Sequence, residues 1–308
     1  MATPILKWAG GKRQLLDELY QRFPDEYDSE TNTYHEPFFG SGAVFFDHEP
    51  RQATINDLNA RLINFYRQVR TQPEALIEQA RQFEDPESDP DPERAYADAK
   101  NYYYQQRELF NRRPRDKDFD RLEEAALLLY LNRTCFNGLY RENSSGGFNV
   151  PIGRYANPDW VRETEIREAS EVLNDIPEEA IHNKHFEYVL DVTEPGDLVY
   201  FDPPYKPMSS TAEFAEYSAD GFDQSDQEDL LAVAQELADR DVHVILSNSG
   251  VMYDFYDEAG FYVDTEGATR SINSDGDNRG EVDEIIATTV PPEDRQTHGV
   301  QTLNDFAN

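Results

Sequence analysis

The first 70 residues alternate short apolar runs with glycine turns and stretches of helical periodicity. Thr33 to Phe38 reads as a strand, Phe39-Gly40-Ser41-Gly42 as a turn and Ala43 to Asp47 as a short helix. A second strand, Gln52 to Asn56, ends at Asp57 and gives way to a helix from about Leu58 to Arg70. Strand, turn and helix recurring in that order predict a parallel sheet with crossover helices.

From Glu74 to about Asn132 the pattern changes to helices and loops, with an acidic, proline-bearing break at Asp85 to Pro92. Leu139 to Pro151 reads as a β-hairpin, two extended arms around Asn143-Ser144-Ser145-Gly146-Gly147, whose residues tolerate positive φ. Alternation then resumes. Phe186 to Leu190, Asp197 to Phe201 and Val242 to Ser247 read as strands, a helix from Ser225 to Arg240 separates the last two, and Glu281 to Val290 is the final strand. Lys206 to Phe222 is a long polar and aromatic connection with the character of a lid. The expected organisation is one α/β domain from 1–70 and 178–290, interrupted by a helical insert over 71–177 with the hairpin at about 139–151. A frayed tail over 291–308 follows.

Composition narrows the class. At 38% hydrophobic and 12% aromatic, the 308 residues hold enough apolar surface for a packed core. The densest apolar run, Ala125 to Leu131, is far shorter than the ~20 residues of a membrane span. No charged-then-apolar signal pattern opens the chain, so a cytoplasmic protein without a membrane partner is expected. Cys135 is the one cysteine, which excludes an internal disulfide, and the six histidines show no pair at metal spacing, so no metal is expected.

Charge is the extreme property: 62 acidic residues against 28 basic ones give a net charge of −34. The acids are spread along the chain rather than gathered in a tail, so they form a surface. Self-repulsion of that size is screened over ~8 Å at physiological ionic strength but over ~3 Å at 1 M salt. A protein adapted to a high-salt, halophilic cytoplasm is the expectation. The acidity is also uneven, with 26 acids and 20 bases in residues 1–154 but 36 and 8 in residues 155–308. Between Tyr130 and Ala156 stand Arg133, Arg141 and Arg154 with Glu142 as the one acid, so a polyanion would approach there.

Candidate chemistry concentrates at a strand end. Leu198-Val199-Tyr200-Phe201 runs into Asp202-Pro203-Pro204-Tyr205. A carboxylate and a backbone carbonyl can together accept hydrogen bonds from one exocyclic amine, two prolines hold the chain extended, and an aromatic face suits a flat base. Open α/β sheets place their sites at such carboxyl ends. The same residues would equally well end a strand and turn a corner. Glu36-Pro37-Phe38-Phe39-Gly40-Ser41-Gly42 lacks the full dinucleotide fingerprint, but Asp57 at the next strand end stands where a carboxylate accepts from ribose hydroxyls. Turn glycines and a helix-capping acid would explain those residues too. Lys7-Trp8-Ala9-Gly10-Gly11-Lys12-Arg13 fails as a phosphate loop, since Leu6 stands where glycine is required and Arg13 replaces Ser or Thr. What remains is a glycine pair, an aromatic and a cation that could meet a carboxylate. In Arg133-Thr134-Cys135-Phe136-Asn137-Gly138-Leu139-Tyr140-Arg141 and Phe148-Asn149-Val150-Pro151, arginine and asparagine suit base edges and Phe or Leu could wedge into a stack. Hairpin core is the other reading of those aromatics.

Taken together and in this order, these segments resemble the Dam-type adenine-specific DNA methyltransferases over roughly residues 4–289. Leu6 to Lys12 is similar to the N-terminal cofactor segment of that family, Glu36 to Gly42 to its cofactor loop, and Asn56-Asp57-Leu58-Asn59 to its ribose-binding acid. Leu131 to Tyr155 resembles its target-recognition hairpin, Asp202-Pro203-Pro204-Tyr205 its DPPY catalytic motif, and Arg270-Ser271-Ile272 with Val282-Asp283-Glu284-Ile285 its C-terminal strands. The resemblance implies a Rossmann-like S-adenosylmethionine-dependent methyltransferase sheet with a helical and β-hairpin target-recognition insert.

It also implies an enzyme of DNA methylation that moves the methyl group of S-adenosylmethionine to N6 of an adenine flipped out of duplex DNA, leaving S-adenosylhomocysteine. By resemblance Asp202, Pro203, Pro204 and Tyr205 form the catalytic motif, with Trp8, Lys12, Phe39, Gly40, Gly42, Asp57, Phe186 and Asp202 on the cofactor. DNA falls to Arg133, Asn137 and Arg154 as backbone contacts, Phe136 as a wedge, Leu139, Arg141 and Pro151 as base readers, and Tyr155 beside them. The hairpin matches the branch that reads GATC, although Phe136 stands where tyrosine is common and Thr134, Cys135 and Tyr140 also depart. A monomer is expected; whether a cognate restriction endonuclease accompanies it stays open. The competing readings are a silent acidic DNA-binding or DNA-mimic protein, and an RNA adenine methyltransferase on the same fold.

Overall fold

In a computed structural model of the chain, residues 2–10, 12–83, 92–112, 119–155, 158–205, 222–269 and 281–296 are described. Their seven strands are β1 (Tyr34–Glu36), β2 (Ala53–Asn56), β3 (Ile181–His182), β4 (Leu198–Phe201), β5 (His243–Ser249), β6 (Tyr262–Thr269) and β7 (Glu281–Thr288). They form one sheet in the order β3-β2-β1-β4-β5-β7-β6. The first five are mutually parallel, while β7 runs antiparallel to both β5 and β6. The expected Rossmann-like α/β sheet is therefore present. Because the chain order reverses between β1 and β4, a crevice opens above the carboxyl ends of those two strands.

The helices are α1 (Leu16–Tyr20), α2 (Ala43–His48), α3 (Ala60–Thr71), α4 (Pro73–Ala80), α5 (Pro92–Arg112), α6 (Arg121–Thr134), α7 (Glu163–Asp175), α8 (Val189–Val192), α9 (Gln224–Ala238) and α10 (Tyr253–Asp257). Side chains alternate across the sheet. On β4, Leu198 and Tyr200 join the core shared with α3, α4 and α6, whereas Val199 and Phe201 pack with Leu230, Val233 and Leu237 of α9 on the other face. Helix α6 is buried all round from Glu124 to Asn132, with an apolar run from Ala125 to Leu131, as suits a helix packed among α3, α4 and α5. Asp120, Asn59 and Asp223 cap α6, α3 and α9 by accepting hydrogen bonds from first-turn amides.

Two sequence expectations need correction. Phe186 to Leu190 is not a strand: Phe186–Tyr188 is a 3₁₀ turn leading into α8, and the strand is Ile181–His182 just before it. A short apolar run does not distinguish the two states by itself. Here the Asn56 side chain decides, since its amide donates to the Lys184 carbonyl (3.0 Å) while its oxygen accepts from the Lys184 amide (2.8 Å). That clamp ends strand pairing at Lys184 and turns the chain. The 139–151 hairpin keeps its turn but not a ladder. Two isolated bridges, Cys135 with Ile152 and Glu142 with Phe148, replace one, and Asn143 Oδ1 accepts from the Ser145 and Gly147 amides inside the turn. Helix α7 and strand β6 were not anticipated. The 206–221 stretch of the lid, Gly11, Arg270-Ser271-Ile272 and residues 297–308 lie outside the described residues. Pro291 to Gln296 docks on the N-terminal segment through the Asp25 amide to the Asp294 carbonyl and the Gln296 amide to the Phe23 carbonyl, both 2.8 Å.

One buried side chain ties the N-terminal segment to the insert. Asn132, 1% exposed, accepts from the Lys7 amide (2.9 Å) and donates to the carbonyls of Lys7 (2.7 Å) and Gly138 (3.1 Å). Gly138 has φ +66°, and a Cβ there would meet the Lys7 side chain at 2.4 Å. Asn132→Ala leaves three backbone groups short of a partner, and we expect it to cost about 2–4 kcal/mol. Urea unfolding of the variant beside the parent protein measures that loss.

Candidate active site

Parallel pairing of β1 with β4 (Tyr34 with Leu198, His35 with Val199) sets the 37–42 loop beside Asp202-Pro203-Pro204-Tyr205. The N-terminal segment closes over both. Lys12, 3% exposed, places Nζ 3.1 Å from Asp202 Oδ1 and 3.7 Å from Glu284 Oε2, and donates to the Tyr205 hydroxyl. The same ammonium stands 4.2 Å from the centre of the Tyr205 ring. Tyr205 in turn donates to Glu284 Oε2 at 3.1 Å. Burial works against the charge on Lys12, yet Asp202, Tyr205 and Glu284 more than offset it and hold the ammonium above its ordinary range. Burial likewise pushes Asp202 above the usual carboxylate range, opposed by Lys12 and Ser247. The Asp202 side chain keeps 21% of its surface open. Lys12 and Ser247 both donate to Oδ1, which leaves Oδ2 without a donor among the described residues.

On the β2 side, Asp57 Oδ2 accepts from the Gly40 amide (3.0 Å) and Oδ1 from the Asn59 amide (2.8 Å). Burial pushes the Asp57 carboxyl up to about 6, with those two amides pulling it back. Trp8 lies directly on Gly40: a Cβ at that position would sit 2.8 Å from Trp8 Cδ1, and φ there is +49°. Glycine is required on both counts. Phe39 is buried beneath the loop, and Gly42, φ +67°, opens α2. Phe38 and Phe186 pack at 5.4 Å between ring centres, so the misassigned segment still delivers Phe186 to the same loop. Glu36 holds the loop from below, accepting from the Tyr34 hydroxyl (2.9 Å) and the Phe45 amide (3.2 Å), and burial pushes it up to about 8.

Trp8 also stacks on Tyr140 (5.3 Å, 25°), which joins this crevice to the insert. Around the hairpin, Phe136, Pro151 and Arg154 are exposed, and Asn137, Leu139, Arg141, Arg133 and Tyr155 are half-buried. Phe136 and Pro151 are neighbours through the Phe136 amide to the Pro151 carbonyl (2.8 Å). Arg141 donates from Nε to Asn149 Oδ1 (2.6 Å), and Arg133 donates to the Asp159 carbonyl (3.1 Å). Lys7 covers the Tyr155 ring at 4.3 Å. Burial and the neighbouring cations lower both Lys7 and Arg133, each pressed by Arg162 as well. The described residues thus join Lys12, Asp202, Tyr205 and Glu284 in one cluster and Trp8, Gly40 and Asp57 in another, with Phe186 against Phe38 and the DNA candidates on and around the hairpin. Sequence reading did not single out Glu284, Ser247, Tyr200, Glu36 or Asn132. Strand alternation could have flagged Tyr200, which shares a face with Asp202, and Glu36, whose partner Tyr34 stands two residues before it on β1; Ser247, Glu284 and Asn132 depend on contacts between segments far apart in sequence.

Among the described residues no helix is long and apolar enough to cross a membrane, and no group of three His, Cys, Asp or Glu could hold a metal ion. The sequence profile of the D12 class N6 adenine-specific DNA methyltransferases matches residues 8–275. The chain is 39% identical to the type II methyltransferase M1.LlaDCHI of Lactococcus lactis subsp. cremoris, over 92% of this chain and 94% of that one. It is 36% identical to the type II methyltransferase M.MjaIII of Methanocaldococcus jannaschii, over 90% and 94%. It is 34% identical to the DNA adenine methylase of Escherichia coli K12, over 93% and 95%. These likenesses span sheet and insert together, and they set aside both the silent DNA-mimic reading and the RNA enzyme. With its strand-end Asp202 and its glycine loop on adjacent parallel strands, the chain belongs to the D12 class of N6 adenine-specific DNA methyltransferases.

Proposed function

We propose that the protein methylates N6 of an adenine flipped from duplex DNA, with GATC as its preferred site. The observation that carries this reading is Asp202: a carboxylate at a strand end with Oδ1 engaged by Lys12 and Ser247 and Oδ2 left without a donor among the described residues. Oδ2 and the Pro203 carbonyl accept the two N6 hydrogens, which turns the nitrogen lone pair out of the ring system. Tyr205 offers a ring face to the base. Charge that develops on nitrogen is stabilised by a carboxylate already in place, so catalysis is positioning and electrostatics.

Membership of this family implies S-adenosylmethionine as methyl donor, and the residues fit it. A loop with no room for a Cβ at Gly40, a strand-end carboxylate at Asp57 and aromatic rings at Trp8, Phe38 and Phe186 suit, in turn, close backbone approach, ribose hydroxyls and an adenine. Trp8, Lys12, Phe39, Gly40, Gly42, Asp57, Phe186 and Asp202 would hold it. When bound it supplies an electrophilic methyl group on a sulfonium, and is left as S-adenosylhomocysteine. We assign 1–70 and 178–290 to this chemistry and 71–177 to target recognition. Within the insert, Arg133, Asn137 and Arg154 meet phosphates, Phe136 wedges, and Leu139, Arg141 and Pro151 read bases, with Tyr155 supporting them. The closeness of Lys7 and Arg133 supports that assignment, because a phosphate would neutralise both, whereas Arg162 beside them is already paired with Asp159 and Glu165. The type II naming of two relatives favours a restriction-modification setting, with a cognate endonuclease as partner. We take the protein to be cytoplasmic and monomeric.

Three outcomes check this reading. Mapping methylated bases in DNA co-expressed with the protein should find N6-methyladenine at GATC, and Asp202→Ala should abolish it; methylation elsewhere, or persisting in the variant, overturns the site or the residue. Affinity for S-adenosylhomocysteine, titrated calorimetrically from pH 5 to 8, should rise through about pH 6. The sign follows from Asp57, whose ionised form accepts ribose hydroxyls and is lost as pH falls through that value. Asp57→Asn should bind more weakly and flatten the profile. A net charge of −34 further supports a high-salt setting, in which counterion release contributes little to DNA binding. Activity should persist in molar KCl, and the log-log salt slope of DNA affinity should be shallower than the roughly −0.9 per phosphate, or about −5 for six contacts, of ordinary duplex binders.

A further inference from the structure

We propose that Ser247, backed by Tyr200, is a positioning residue that locks the Asp202 carboxylate in one orientation, reserving Oδ2 for the target amine. The inference rests on the reading of Asp202 as the N6 acceptor.

The register of β4 on β5 ends at Phe201 with Leu246, so the next pair is Asp202 beside Ser247. By strand alternation Tyr200, Asp202 and Ser247 lie on one face of the sheet, the face that Lys12 covers. Ser247 is 0% exposed, and its hydroxyl donates to Asp202 Oδ1 at 2.9 Å. A serine hydroxyl has one proton. Once it is spent on Asp202, the 2.9 Å contact with the Tyr200 hydroxyl must run from Tyr200 to Ser247. The chain of donors therefore points one way: Tyr200 to Ser247 to Asp202. Tyr200 is itself 2% exposed, so neither hydroxyl has water to turn to, and the direction is fixed by the fold.

Lys12 also meets Oδ1, at 3.1 Å, but its ammonium is shared with Tyr205 and Glu284 and sits on a separate segment. Ser247 is the partner built into the sheet. If Lys12 moves when substrate enters, the serine still holds Oδ1, and the carboxylate cannot rotate its open oxygen away from the base. The groups facing Asp202 are Lys12 from the N-terminal segment, Glu36 from β1, Tyr200 from β4, Tyr205 from its own segment, Ser247 from β5 and Glu284 from β7. Lys12 and Ser247 favour its ionised form, and Glu284 opposes it.

Single-turnover methylation of a GATC duplex, followed against pH, tests this in four proteins: parent, Asp202→Ala, Ser247→Ala and Tyr200→Phe. Ser247→Ala should lower the single-turnover rate at least about tenfold, the scale of one hydrogen bond to a charged group, with S-adenosylhomocysteine and DNA affinities within about threefold of the parent. The acidic limb of its rate profile should move up by about one pH unit, because a donor that favours the ionised carboxylate is gone. Tyr200→Phe keeps the volume and removes only the outer hydroxyl, so it should shift the limb the same way by less; it serves as the test should Ser247→Ala not fold. An inactive Asp202→Ala with parental rates and an unmoved limb in both other variants overturns the positioning role alone. An active Asp202→Ala overturns the acceptor reading and this inference with it.

Discussion

A lysine ammonium held out of water among two carboxylates and a phenol is the interaction on which the rest of the structure turns. Lys12 Nζ reaches Asp202, Glu284 and Tyr205 from a segment that belongs to no strand, and so joins the N-terminus, the end of β4 and the start of β7 at one point. Removing Lys12 would leave two carboxylates without their buried counter-charge, which is far more costly than never burying the cluster. The sheet order makes the meeting possible, because β4 lies between β1 and β5 and β7 returns beside β5. Three of the parts assigned to the chemistry are anchored to carboxyl strand ends: the glycine loop after β1, Asp57 after β2 and Asp202 after β4. Rigid strand ends place polar atoms more reproducibly than free loops do.

The same arrangement divides the electrostatics. Acidic surface dominates the second half of the chain, yet the crevice and hairpin carry Lys7, Lys12, Arg133, Arg141, Arg154 and Arg162. On the proposed reading, DNA would approach the 130–156 region, where Glu142 is the one acid, and charge would steer orientation as well as supply affinity. Asn132 and the Trp8–Tyr140 stack couple the two regions mechanically, since each bridges the N-terminal segment and the insert. A shift of the hairpin is therefore coupled to the segment that carries Lys12.

Much of this was legible in the sequence, because contiguous motifs write local chemistry into adjacent letters. Strands ending at Asp57 and Asp202, the turn at Gly40 and the helix before β5 needed only alternation, glycine placement and prolines. Phe186 to Leu190 was misread because an apolar run so short fits strand and helix alike, and the Asn56 clamp that ends β3 is a contact across 128 residues. Ser247 and Glu284 were missed for a related reason. Ser247 acts through Asp202 at the end of the neighbouring strand and Glu284 through Lys12 and Tyr205, contacts between distant segments that neither segment spells out alone. Glu36, by contrast, accepts from Tyr34 on its own strand and from Phe45 of α2. The hairpin kept its turn, which is local, and lost its ladder, which depends on how α5 packs beneath it: Asn111 accepts from the Phe148 amide and donates to the Phe148 carbonyl, satisfying groups a ladder would have used.

Everything proposed about catalysis narrows to Oδ2 of Asp202, which has no donor among the described residues. A crystal structure of the protein with S-adenosylhomocysteine and a GATC duplex tests it most directly. The expected result is a flipped adenine whose N6 lies within hydrogen-bond distance of Asp202 Oδ2 and the Pro203 carbonyl, with Ser247 still donating to Oδ1. An adenine whose N6 is held by other groups, with Asp202 turned away from it, would contradict the central claim.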